Sequence, residues 1–278
     1  MCALQRCKLI VNTRLSVIEL NHTTLSYAAD QTPVLILHGL FGSQKNWGSL
    51  ARKLADQHSI TTVDLRNHGQ SPHANSMAYP DMAADIIQLL DKLNYESVIL
   101  IGHSMGGKVA MNCALAYPQR IKNLIVADIA PVNYQHGFDQ IIAAQKALPL
   151  EHITNRAEAD QFLSQYIDQP TLRQFLLQNL VKNAVQFSWR VNLTAIDDQM
   201  PIITNFPVIS ANKNFEKKTL FLRGENSDYL LEEHHAAIKN YFPNSSIQTL
   251  PDCGHWLHAE QPQLFYQSVL EYLDENAN

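Results

Sequence analysis

The run Ile99-Leu100-Ile101-Gly102-His103-Ser104-Met105-Gly106-Gly107 constrains this chain more than any other stretch. An apolar segment enters Gly-x-Ser-x-Gly, and a helical segment, Lys108-Val109-Ala110-Met111, follows at once. This pattern predicts a sharp strand-to-helix turn that lifts the Ser104 hydroxyl above the carboxyl end of a parallel sheet. The serine of such a turn occupies a strained backbone conformation. Its flanking positions must be nearly free of side chain, because strand and helix pass too close for a Cβ, and Gly102 and Gly106 meet that need.

The surrounding sequence supplies the sheet. Val34-Leu35-Ile36-Leu37 is a short continuous apolar run, as a strand buried on both faces requires. Further strands are predicted at 59–63, 98–101, 121–126, 219–222 and 247–250. Helices are predicted around Trp47, Leu50 and Leu54, then over 82–93, 105–117, 232–241 and 262–273. The alternation reads as an α/β chain with a mostly parallel, doubly wound sheet and helices on both faces. Residues 8–29 alternate like antiparallel leading strands, one of them at 15–20. From 131 to 214 no buried strand is expected, so an all-helical cap is inserted over the sheet edge. Within it, Asp168-Gln169-Pro170 reads as an N-terminal cap and first-turn proline. The predicted organisation is a core over 1–130, a cap over 131–214 and the rest of the core over 215–278.

Composition excludes several classes. The 278 residues are 46% hydrophobic and 17% charged with net charge −5, ordinary for a globular chain. No basic tract points to nucleic acid or an anionic membrane, and no apolar run is long enough to span a bilayer. Arg6 and Lys8 interrupt any secretory apolar region near the start. Cys2, Cys7, Cys113 and Cys253 form no C-x-x-C pattern. Reduced thiols in the cytoplasm fit best, with Cys113 and Cys253 as packing residues. No motif calls for a metal or cofactor, and none is expected.

A serine hydroxyl becomes a useful nucleophile when a neighbouring base takes its proton. Of the twelve histidines, His255 in Pro251-Asp252-Cys253-Gly254-His255-Trp256 is the best placed, in the loop after the last strand. His103 is expected to pack, His38 and His68 to hold loops, and His258 falls in the last helix without an assigned role. The acid that orients the base has two candidates. Asp128 ends an apolar strand, where a charge is costly unless paired. Asp228 follows the next core strand and is the alternative. Asp128 is favoured, because its strand should lie beside that of Ser104. The oxyanion needs two backbone N–H donors. Met105 supplies one at the start of its helix. Leu40 in His38-Gly39-Leu40-Phe41-Gly42-Ser43 is chosen for the other, with Phe41 possible.

Those segments, together with Asp64-Leu65-Arg66-Asn67-His68-Gly69-Gln70-Ser71, closely resemble the YbfF-type esterases of the α/β-hydrolase superfamily. The likeness covers nearly the whole chain and is weaker in the cap, where Ser188-Trp189-Arg190-Val191-Asn192 is similar. It implies an eight-stranded sheet, a helical cap and hydrolysis of carboxylic esters or acyl thioesters. It also implies an acid after the sixth strand, which corresponds to Asp128. Most of the superfamily places the acid three residues past the glycine of the later strand, where this chain has Ser227, and Asp228 comes one residue late. The expected partner is a small-molecule ester or thioester. A C–C bond hydrolase or lyase could use the same residues, and a non-catalytic binding protein of this fold is the alternative from a different class. Phe138, Phe162 and Phe206 are candidates for an acyl pocket in the cap.

Overall fold

The computed structural model describes residues 16–25, 32–135, 137–207 and 213–276. The chain runs β1 (His22–Leu25), β2 (Val34–Leu37), α1 (Gly48–Leu54), β3 (Ile60–Val63), α2 (Tyr79–Lys92), β4 (Val98–His103), α3 (Met105–Ala116) and β5 (Ile121–Ala127). The inserted segment holds α4 (Asp139–Ala147), α5 (Arg156–Leu163), α6 (Pro170–Leu177), β6 (Leu180–Lys182), β7 (Phe187–Trp189), α7 (Leu193–Asp198) and α8 (Met200–Thr204). The core resumes with β8 (Thr219–Gly224), α9 (His235–Tyr241), β9 (Ser245–Leu250), α10 (Leu257–Glu260) and α11 (Pro262–Asn276).

Seven described strands form one sheet in the order β1-β3-β2-β4-β5-β8-β9. All pairs are parallel except β1 with β3. Chain order reverses direction at β2, with β3 laid to one side and β4 to the other. In open parallel sheets the crevice at such a switch, beyond the carboxyl strand ends, is where ligands bind. The parallel connections put the ends of β2, β4, β5, β8 and β9 on one edge. Register aligns Leu37 with Gly102 and His103 with Ala127.

Alternate side chains of each strand feed the two faces. Val34, Ile36, Ile60, Ile99, Ile101 and Ile125 pack with α1 and α11 through Trp47, Leu54, Phe265 and Leu273. Leu35, Leu37, Val63, Leu100, Leu124 and Val126 pack against α2, α3 and α9. Nearly every residue of α3 is buried, so the helix is enclosed on all sides, with Lys108 and Asn112 as its buried polar residues. The second cluster continues into the inserted segment through Leu163, Leu176, Leu180, Ile196 and Met200, which shares one core with the sheet face.

Several expectations change. Among the described residues the sheet has seven strands where eight were expected. Residues 16–21 form no strand; the Ile18 N–H donates to the Asp85 carboxylate instead of to a ladder. The earlier part of the predicted leading strands, with Cys2 and Cys7, lies outside the described residues. The insertion is not all helical, because β6 and β7 make a small antiparallel hairpin. Gln169, not Asp168, caps α6, since the residue before a proline must be extended. His258 lies in α10, a separate short helix that ends before Pro262. No described helix is long and apolar enough to cross a membrane.

Candidate active site

β4 continues without a break into Ser104, whose N–H still bonds to the Ala127 carbonyl at 3.0 Å. The chain then reverses into α3, with Ser104 as N-cap at φ 52° and ψ −119°. This positive φ is costly for a residue with a Cβ and persists because both flanks are fixed. A Cβ on Gly102 would stand 2.3 Å from the Gly106 carbonyl oxygen, and one on Gly106 would stand 2.4 Å from that of His38. The strand, the helix and the loop after β2 therefore touch backbone to backbone around the serine.

His255, in the loop between β9 and α10, reaches over this turn. Its Nε2 lies 3.0 Å from Ser104 Oγ, and its Nδ1 lies 2.8 Å from Asp128 Oδ2. Nδ1–H donates to the carboxylate, which leaves Nε2 as the acceptor for the serine hydroxyl. Tyr229 stacks on the imidazole at 3.9 Å between ring centres. Asp128 follows β5, is wholly buried, and is itself at φ 52°. Its Oδ1 accepts from the Gly224 N–H at 3.0 Å, and its Oδ2 accepts from the Ser227 hydroxyl as well as from His255. The buried charge is thus fully hydrogen-bonded. Asp228 is exposed and lies outside this group. The structure brings Ser104, His255 and Asp128 together and leaves Asp228 in solvent.

Two neutral histidines shape the loop after β2. His38 accepts the Leu65 N–H at Nε2 (2.9 Å) and donates from Nδ1 to the Gly39 carbonyl (2.8 Å). His68 donates from Nδ1 to the Arg66 carbonyl (2.9 Å) and accepts the Phe41 N–H at Nε2 (3.2 Å). Burial pushes both pKa values down, that of His68 to about 3. Phe41, at φ 59°, spends its N–H on His68. Leu40 has no such partner among the described residues, which leaves its N–H available in this loop. Met105 is the first residue of α3, where a helix N–H has no intrahelical acceptor.

Asp64 braces the same loop from behind. Burial favours its neutral form, but the Gln70 and Gln44 N–H groups and the Asn21 amide hold its pKa below the usual value. His103 and His258 form a second layer under His255. His103 Nε2–H donates to the His255 carbonyl at 2.8 Å, and its ring meets that of His258 at 4.7 Å. His258 stacks on Trp47 at 4.3 Å. Burial pushes His258 to about 3 and His103 well below its ordinary value. Neither adds positive charge beside the His255 imidazole. His103 packs as expected, whereas its pairing with His258 and the roles of Tyr229 and Ser227 escaped sequence reasoning. Only Ser227 carried a signal, by standing where an acid is expected.

Two cavities meet at Ser104. The larger, about 150 Å³, is lined by His255, Phe138, Ile141, Leu172, Phe175 and Trp256. The smaller, about 40 Å³, lies between Met105, Ile129, Phe138, Gln135 and Ile203. Phe138 lines both. Phe162 lines neither and packs on Tyr166, and Phe206 is buried against Tyr241. Of the three candidate phenylalanines, Phe162 packs within the inserted segment and Phe206 packs against α9. Cys253 is buried and bonds to the Leu250 carbonyl, and Cys113 is buried in α3. Among the described residues no group of three or more His, Cys, Asp or Glu side chains could hold a metal ion.

Residues 32–262 match the model for the α/β-hydrolase fold family. The chain is 39% identical over 270 residues to the sn-1-specific diacylglycerol lipase ABHD11 of Mus musculus, covering 94% of this chain and 87% of that one. It is 36% identical over 247 residues to esterase YbfF of Escherichia coli (strain K12), covering 88% and 94%. A solved marine microorganism esterase superposes with a TM-score of 0.89 at 40% identity, covering 92% of this chain and all of that one.

Proposed function

The chain belongs to the α/β-hydrolase fold family, and we propose that it is a serine carboxylesterase that works through an acyl-enzyme on Ser104. The observation that carries this reading is the continuous chain of bonds from Ser104 Oγ through His255 to Asp128, at 3.0 and 2.8 Å. Nε2 accepts the serine proton as Oγ attacks the ester carbonyl. The Leu40 and Met105 N–H groups hold the oxyanion, within the positive end of the α3 dipole. The imidazolium is stabilised by Asp128 and then protonates the leaving alcohol. Water, deprotonated by the same nitrogen, releases the acid.

The names of the relatives, an esterase and a diacylglycerol lipase, support ester substrates. Acyl thioesters present the same carbonyl to the same groups. The assigned compartment is the cytoplasm, supported by the unpaired, buried thiols of Cys113 and Cys253. Hydrolysis of p-nitrophenyl butyrate tests the reading. Wild type is expected to turn it over, and Ser104→Ala to lose at least roughly 10³-fold in kcat. No turnover by wild type across a panel of esters contradicts the assignment and favours a binding role, and equal turnover by both proteins contradicts the acyl-enzyme on Ser104.

A further inference from the structure

Lys108 is a buried cation at the site that the proposed reaction leaves unused. It stands one turn after Ser104 on the same face of α3, where residues four apart are neighbours. Only 2% of it is exposed. Its ammonium donates to the Thr204 carbonyl at 2.6 Å and the Asn205 carbonyl at 3.3 Å, and lies 4.7 Å over the Tyr134 ring. These partners are neutral, and among the described residues no carboxylate pairs with it. Burial lowers its pKa to about 7. A charge buried without a counter-ion is expensive, and a neutral amide could have tied the same carbonyls.

The same lysine lines the smaller cavity beside Ser104, together with Met105, Tyr134, Gln135 and Thr204. Which half of the substrate enters there follows from the chemistry. His255 must hand its proton to the leaving oxygen, and His255 lines the larger cavity but not the smaller one. The leaving group therefore lies on the larger side, and the acyl chain points toward Lys108. About 40 Å³ admits only a short chain. We propose that Lys108 determines specificity by receiving a carboxylate at the far end of a short acyl group, so that half-esters of small dicarboxylic acids are the preferred substrates. This rests on ester hydrolysis at Ser104. The exposed Gln135 amide at the cavity adds a second donor for the carboxylate. The other titratable groups near the ammonium do not compete. Burial pushes the phenols of Tyr79 and Tyr134 up, so both stay neutral, and Asp128 is committed to His255 and Ser227.

The test compares monomethyl succinate with methyl 4-methylpentanoate, an uncharged ester of the same shape, in wild type and Lys108→Met. The expected ratio of kcat/KM values favours the half-ester in wild type and falls by about tenfold or more in the variant, the worth of one charge-assisted bond. If the variant does not fold, the wild-type ratio alone decides. It should fall about tenfold between about pH 6 and about pH 9 as the ammonium titrates, while any group that acts on both esters cancels in the ratio. A wild-type ratio that is flat with pH, or one unmoved by Lys108→Met, assigns the lysine to cap packing and overturns the proposal while leaving the esterase reading intact. Failure to hydrolyse either ester overturns both.

Discussion

The Ser227 hydroxyl donates to Asp128 Oδ2, the same carboxylate oxygen that accepts the His255 Nδ1–H. Ser227 occupies the position after β8 where an acid is commonly found in this fold. In the proposed relay the acid comes from the end of β5, and the residue after β8 hydrogen-bonds it. The Tyr229 N–H bonds back to Ser227 Oγ at 3.2 Å, so the loop that stacks on His255 is tied to the same point.

This arrangement separates the two aspartates. Asp128→Asn is expected to lower kcat by roughly 10²–10⁴, because the amide cannot stabilise the imidazolium or fix its tautomer. Asp228→Asn should change kcat by less than about twofold, as an exposed side chain outside the relay. Steady-state ester hydrolysis by the two variants checks both. Equal losses, or the reverse order, would move the acid to the loop after β8.

Ser227→Ala removes one bond to a buried carboxylate that keeps two others. The expected loss in kcat is about 5- to 30-fold, from a hydrogen bond to a charged group worth about 1–2 kcal/mol. Rescue by Ser227→Thr is the discriminating readout, since it restores the hydroxyl donor to Asp128 that Ser227→Ala removes.

The buried neutral histidines set the acid limit of the fold. His68 and His258 have pKa values near 3 in the folded chain, and an unfolded histidine titrates near its ordinary 6.5. Their contribution to stability is therefore complete above about pH 6.5 and falls as pH drops toward about 3, since the unfolded state takes up protons first. Each costs about 1.4 kcal/mol per pH unit in that window. Unfolding in denaturant at several pH values should show this slope, and His68→Gln should reduce it by about one proton. An unchanged slope in that variant would show that His68 is charged in the folded protein.

Phe138 lines both cavities, whereas Phe162 packs on Tyr166 away from them. Phe138→Ala should change the preferred acyl length by at least about fivefold in relative kcat/KM, on the scale of a lost aromatic contact. Phe162→Ala should lower thermal stability by about 3 kcal/mol or less without altering that preference. A series of p-nitrophenyl esters of increasing length, alongside thermal melts, separates the two roles.

Much of the sheet and the turn at Ser104 was legible because buried parallel strands leave continuous apolar runs and close backbone approach demands glycine. Gly102 and Gly106 are of that kind. The sequence favours Leu40 and keeps Phe41 open, and the feature that sets the two apart is not legible there. It depends on His68, which stands 27 positions from Phe41 and takes its N–H. The β6–β7 hairpin was missed because three-residue strands are too short for a period of two to register. Lys108 reads in the sequence as an ordinary helix residue. Its isolation appears only when α8 brings the Thr204 carbonyl to its ammonium.

The central claim is that His255 makes Ser104 Oγ unusually reactive. The most direct measurement is covalent labelling by a fluorophosphonate, followed by mapping of the modified peptide. The account predicts one adduct, on Ser104, with the rate reduced at least roughly 10²-fold in His255→Ala and labelling abolished in Ser104→Ala. Labelling on another residue, or a rate indifferent to the loss of the imidazole, would contradict it.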